Sequence, residues 1–220
     1  MKKTFLLMLA GVMAFSMIAC GGTDQEADEQ QNQEQVSEEK TGIAAVVDNL
    51  YHSNYEYEKT QTTMLGDEEI QVVYQGAYIA SPYQEYVKVI EAPDEADWTE
   101  AYSSGDGETV ESTFRTADGL MTQESERSYP YGYGENLEFT LDREETLDGV
   151  LCDVYRTEYT RQVQDGFRKV DAAVKQEYYI DREKQQVAMI YTDLSEVQEG
   201  STETLRIYNY NGDITIEPLS

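Results

Sequence analysis

From Tyr55 almost to the C-terminus, this chain alternates between two kinds of residue with a period of two. NYEYEKTQTTM sets Tyr55, Tyr57 and Lys59 against Glu56, Glu58 and Thr60. EEIQVVYQGAYIA places Ile70, Val72, Tyr74 and Tyr78 on one face, and QEYVKVIEA opposes Val87 and Val89 to Tyr86, Lys88 and Ile90. Successive side chains of a strand point to opposite faces, so such runs are half-buried strands. WTEAYSS, TVESTFRTA, LMTQESERS, VKQEYYID and QQVAMIYTDL continue the pattern, with Gly/Asp turns between several of them. Asn211-Gly212 in YNYNGDITIEPL predicts a closing hairpin. Residues 164–173 read equally as a long hairpin tip or a short helix.

Turn-linked strands without helical crossovers imply an antiparallel sheet. Only one stretch breaks the period. In TGIAAVVDNLYHS, Ile43, Val46, Val47, Leu50 and Tyr51 follow the i, i+3, i+4, i+7, i+8 spacing of one helical stripe, with Thr41 placed to cap it. A lone amphipathic helix ahead of a long sheet buries its stripe on that sheet. The expected fold class is therefore α+β: an N-terminal helix packed on the concave face of a curved, mostly antiparallel, open β-sheet, a half-barrel. A closed lipocalin-like barrel is the structural rival.

The first nineteen residues are different. Lys2 and Lys3 precede a mostly apolar run from Phe5 to Ile18, the plan of an export signal. The run falls short of the roughly twenty residues that span a bilayer, and Gly11 and Ser16 interrupt it. It ends in SMIACGG, where Met17-Ile18-Ala19-Cys20 resembles the lipobox of bacterial lipoproteins. The resemblance implies that residues 1–19 are a signal peptide and that Cys20 becomes the acylated mature N-terminus. Residues 23–40, TDQEADEQQNQEQVSEEK, hold seven acids and five glutamines against one Val and one Ala. That composition buries too little apolar surface to offset chain entropy, so residues 20–40 are expected to be a disordered tether. By flexible-chain statistics it sets the folded part about 25 Å from the lipid. Residues 41–220 are expected to form a single domain. The expected location is the extracytoplasmic face of the cell membrane, held by lipid.

Loss of the signal's two lysines takes the formal charge from −28 to −30. Such a field excludes nucleic acid, whose affinity comes mainly from Lys/Arg contacts to phosphate. Cys152, in GVLCDVY, is the one thiol besides Cys20, so no internal disulfide forms; its spacing with Val150 and Val154 predicts a buried, inert side chain. His52, the sole histidine, sits at the helix end, away from any nucleophile signature. Zinc needs Cys/His clusters that the sequence lacks, and the acidic loops EAPDEAD and SSGDGETVE do not match a calcium loop. With 44 acids, pairs of carboxylates arise by chance. The expectation is a non-enzymatic monomer without metal or cofactor.

The helix at residues 41–51, the Tyr-rich strand after it, EYYIDREKQQVAMIYTDL and YNYNGDITIEPL together resemble the LolA/LolB-like half-barrels, a group of envelope lipoprotein carriers and lipid-anchored proteins. The resemblance implies an apolar pocket between helix and sheet for acyl chains or another lipophilic ligand. Val46, Leu50, Tyr55, Val72, Tyr74 and Val87 are the expected lining. Where the carriers' pockets are rich in Leu, Ile, Phe and Met, these strands alternate Tyr with Gln, Glu and Thr, which implies a tyrosine-filled or more polar cavity. The alternative is an envelope interaction protein. On that reading Tyr129, Tyr131 and Tyr133 of SYPYGYG meet a partner protein or cell-wall glycan.

Overall fold

The computed structural model describes residues 42–220 apart from 66, 94–95, 128, 131, 135 and 166–167; the signal, Cys20, the tether, Thr41 and Tyr131 lie outside the described residues. One helix, α1 (Ile43–Tyr51), leads into β1 (Tyr55–Leu65), β2 (Glu68–Ile79), β3 (Tyr83–Glu91), β4 (Glu100–Gly105), β5 (Thr109–Thr116) and β6 (Gly119–Glu126). Then follow β7 (Thr140–Leu147), β8 (Val150–Asp165), β9 (Arg168–Asp181), β10 (Gln186–Asp193) and β11 (Thr202–Tyr208). They form one antiparallel sheet of 11 strands in the order β6-β5-β4-β3-β2-β1-β11-β10-β9-β8-β7. The edges β6 and β7 do not pair, so the sheet is open and the closed-barrel rival is excluded.

Chain length helps to explain the curvature. Residues 127–139 must carry the chain from β6 at one edge to β7 at the other. Flat, 11 strands at about 4.8 Å spacing would hold those edges about 48 Å apart. The fourteen steps from Glu126 to Thr140 reach that far only when fully extended, at about 3.5 Å each, and here turns at residues 132–134 shorten them. The edges must therefore approach one another. Bulges in the β2–β3, β9–β10 and β7–β8 ladders add bend and twist.

The sheet has two unequal faces. One carries the main buried cluster, in which Val47, Leu50 and Tyr51 of α1 join Tyr55, Tyr57, Val72, Tyr74, Tyr78, Val87, Tyr178 and Ile190. Adjacent residues of a strand point opposite ways, so Tyr179 belongs with Cys152, Val154 and Met189 in a smaller cluster on the other face. Cys152 is fully buried there and burial pushes its thiol upward, as expected of an inert residue. On that face Arg143 of edge strand β7 reaches across β8 to Glu177 of β9 at 2.8 Å and donates to the Tyr179 hydroxyl at 2.8 Å. The guanidinium holds the Glu177 carboxyl below its usual range and clamps the edge strand in register.

Three details differ from the sequence reading, and one that it left open is decided. The cap of α1 is Gly42, with φ 63° and no side-chain hydrogen bond. Of the two readings left open for residues 164–173 the hairpin holds: 164–165 end β8 and 168–173 open β9, with pairing that runs out to Asp165 and Arg168. A further strand, β7, lies in the stretch after the Tyr/Gly loop. Asn211-Gly212 does form a turn, but no strand follows it. β11 is already paired to β1 on one side and β10 on the other, so the returning segment has no ladder to join. Asn211 instead donates its N–H to the Asn54 carbonyl at 2.7 Å and ties the turn to the start of β1.

Gly76 shows how closely the main cluster is packed. It lies opposite Tyr57 in the β1–β2 ladder, and a Cβ added there would sit 2.3 Å from the tyrosine Cζ. The ring has nowhere to go, because its hydroxyl donates to Glu85 at 2.7 Å and the side chain is buried. Gly76→Ala is therefore expected to cost about 1–3 kcal/mol by overpacking. In a Tyr57→Val background the same change is expected to be near neutral, a coupling that urea-denaturation midpoints of the double-mutant cycle measure.

Candidate functional site

A half-open groove of about 280 Å³ lies between α1 and the connection from β6 to β7. The helix supplies Ala44, Val47, Asp48, Tyr51 and His52, which share one stripe at i, i+3, i+4, i+7 and i+8. The connection supplies Gly132, Tyr133, Gly134, Asn136, Leu137 and Phe139. Its lining mixes apolar Ala44, Val47, Leu137 and Phe139 with polar Asp48, His52 and Asn136.

Two devices hold the connection in place. The first is a relay of rings around Arg127. Its Nη2 donates to the Tyr78 hydroxyl at 2.8 Å and to the Ala80 carbonyl at 3.0 Å. The guanidinium lies 4.5 Å from the Tyr83 ring centre and 4.8 Å from that of Tyr129. Tyr129 stacks in parallel on Tyr133 at 3.7 Å, and Tyr133 meets Tyr51 of α1 at 5.0 Å with planes at 87°. Sheet, loop and helix are thus joined through one row of side chains. The second device is Gly132, at φ 92°, where a Cβ would stand 2.8 Å from Gln176 Oε1 and 3.0 Å from the Tyr178 hydroxyl. Only glycine lets the backbone lie down on β9 at this point. Leu137 and Phe139 then pack against the main cluster, Phe139 edge-on to Tyr178 at 5.4 Å.

Beneath the loop runs a short polar line. The Tyr178 hydroxyl donates to Gln176 Oε1 at 3.2 Å, and Gln176 Nε2 donates to Thr192 Oγ1 at 3.1 Å. Burial pushes the Tyr178 hydroxyl well up and Tyr51 up to about 12. Tyr78 also rises to about 12, since its burial outweighs the hydrogen bond from Arg127. These hydroxyls are neutral hydrogen-bonding groups at ordinary pH. His52 is the C-cap of α1, donating its N–H to the Asn49 carbonyl at 3.2 Å; its imidazole is mostly exposed, 3.9 Å from the Asp48 carboxylate.

The structure brings the residues expected to line a pocket together, as packed core. Leu50, Tyr55, Val72, Tyr74 and Val87 are buried in the main cluster, and Val46 packs partly buried against it. Tyr55 stacks on Tyr78 at 4.9 Å, and Tyr74 on Trp98 at 6.0 Å. None of the six lines the groove. Of the loop tyrosines, Tyr133 lines it and Tyr129 backs Tyr133. Ala44, Asp48, Gly132, Gly134, Asn136, Leu137 and Phe139 were missed by sequence reasoning. The Gly132/Gly134 pair and the apolar pair Leu137/Phe139 just before β7 were the available signals.

No family model matches the chain, and no curated protein matches it. Among solved structures, it is similar to the lipoprotein LppX of Mycobacterium tuberculosis. Identity is 11% and the TM-score 0.51, over 80% of this chain and 96% of that one. LprF from Mycobacterium bovis is comparable, at 10% identity and a TM-score of 0.51 over 80% and 94%. The described domain therefore shares the fold of these two proteins.

Proposed function

We propose that this chain is a lipid-anchored, extracytoplasmic binding module that takes a hydrophobic or amphiphilic ligand in the groove between α1 and the β6–β7 connection. Residues 1–19 are its export signal, Cys20 its acylated anchor, residues 20–40 its tether and residues 41–220 its binding domain. α1 lies on the concave face of the half-barrel, and the protein works as a monomer without catalysis. The observation that carries this reading is the groove itself, with apolar Val47, Leu137 and Phe139 and polar Asp48, His52 and Asn136 in its lining. Small-molecule sites are mostly apolar concavities of about 300–1,000 Å³ with a few polar groups. At about 280 Å³ this one takes a single hydrocarbon chain or ring rather than a bulky multi-chain lipid. Of the six residues named from the sequence, Val46 and Leu50 belong to the helical wall, and with Tyr55, Val72, Tyr74 and Val87 of the sheet they form the packed core that seats it.

Cys20→Ser is expected to move the full chain from the membrane to the soluble fraction and to remove the acyl mass. That chain carries no acyl group of its own, so it is suited to a binding assay with a fluorescent acyl probe. Saturable uptake, lost in Ala44→Trp because the indole fills the groove, is the expected result. Uptake undiminished in Ala44→Trp, or absent from the parent, overturns the reading. The surface alternative rests on Tyr133, which is 40% exposed. Partner or glycan capture lost in Tyr133→Ala, without any probe uptake, would favour it.

A further inference from the structure

The groove's lining bears on the head group of its ligand. Tyr51 and Tyr133 both line it, and their planes stand at 87° to each other with centres 5.0 Å apart, as two walls of a corner. Tyr129 stacks on Tyr133 and braces that wall. Asp48 shares the lining one helical turn before Tyr51 and His52, and its charge acts on the Tyr51 hydroxyl. No Lys or Arg is found among the described lining residues. The chain as a whole carries a formal charge of −28. Rings present a negative face that attracts cations, most effectively where water is partly excluded. A phosphate or carboxylate at this place would meet Asp48, and the His52 imidazole, which also lines the groove, already faces that carboxylate at 3.9 Å.

On the reading that the groove holds an amphiphile, we infer that the ligand's head is an organic cation, a quaternary ammonium or alkylated amine, held at the Tyr51–Tyr133 corner beside Asp48. The ligand's tail then lies against Val47, Leu137 and Phe139 of the lining. This choice follows from the ring corner and the carboxylate together, since neither alone distinguishes a cationic head from a neutral one.

The test uses the Cys20→Ser chain and three probes with one tail and different heads, all below their micellar concentrations: dodecyltrimethylammonium, dodecyl maltoside and dodecyl sulfate. Calorimetry is expected to rank them in that order, with the ammonium about tenfold tighter than the maltoside, or about 1.4 kcal/mol. Asp48→Asn and, separately, Tyr133→Leu are expected to weaken the ammonium far more than the maltoside and so remove most of that advantage. Circular dichroism of both variants checks that the fold persists. Equal affinities for all three heads overturn the head-group assignment and leave the groove reading standing. No binding by any of them overturns both. A cation preference that survives Ala44→Trp belongs to the general acidic surface and overturns the assignment. Tetramethylammonium matching the dodecyl compound in affinity would assign the corner to a free amine and overturn the amphiphile.

Discussion

Raising the pH above 10 is expected to unfold this domain cooperatively, with loss of structure and the rise of tyrosinate absorbance coinciding. The chain has 18 tyrosines. Tyr55, Tyr57 and Tyr178 are pushed well above the ordinary value of 10.0 by burial, and Tyr51 and Tyr78 up to about 12. A group whose folded value is raised contributes stability that is fully present below the unfolded value. That contribution is lost as pH climbs toward the folded one, because the unfolded chain sheds its protons first. Each such group removes about 1.4 kcal/mol per pH unit in that window. Five together remove about 7 kcal/mol by about pH 11, against a total of about 5–15 kcal/mol for an ordinary domain. A protein that titrates these hydroxyls near pH 10 while retaining its circular dichroism would show that they are not buried as described.

Leu50→Ala is expected to cost about 2–5 kcal/mol. Leu50 is fully buried among the main cluster, flanked on α1 by buried Val47 and Tyr51. Nine residues are too few for a helix to persist alone in water, and this one has no side-chain cap at its start. Its stability comes from the sheet, so truncating the central contact weakens the helix and the groove wall together. Urea unfolding should show a lower midpoint at unchanged slope, because the surface exposed on unfolding stays the same. A loss below about 1 kcal/mol would mean that the helix is not seated on the sheet.

Much of this fold was legible from the period of two, because a half-buried strand has to display its burial pattern. Tyr55, Tyr57, Val72, Tyr74 and Tyr78 fell on the predicted face, and α1 followed from a stripe that no strand reproduces. β7 was the strand left unread: TLDREETL is exposed at nearly every position and owes its place to the Arg143 pairings rather than to apolar alternation. The Asn211-Gly212 turn misled because turn chemistry is local, whereas a free strand edge is a property of the whole sheet. For the site, sequence reasoning favoured residues that repeat on faces. The groove instead depends on Gly132 lying flat on β9 and on a ring meeting another about 80 residues away, which periodicity does not encode.

The strand order has a consequence for how the chain assembles. Every neighbour in the sheet is also a neighbour in sequence except one, β1 against β11, whose partners such as Glu56 and Tyr208 are about 150 residues apart. The molecule is two zippered fans, each of which can close hairpin by hairpin with little loop entropy to overcome, sewn along one central seam. That seam carries the long closure cost and is the natural bottleneck in folding. The β6–β7 connection is the hinge thread between the fans, so the cavity wall it builds takes its final shape only once the seam is shut.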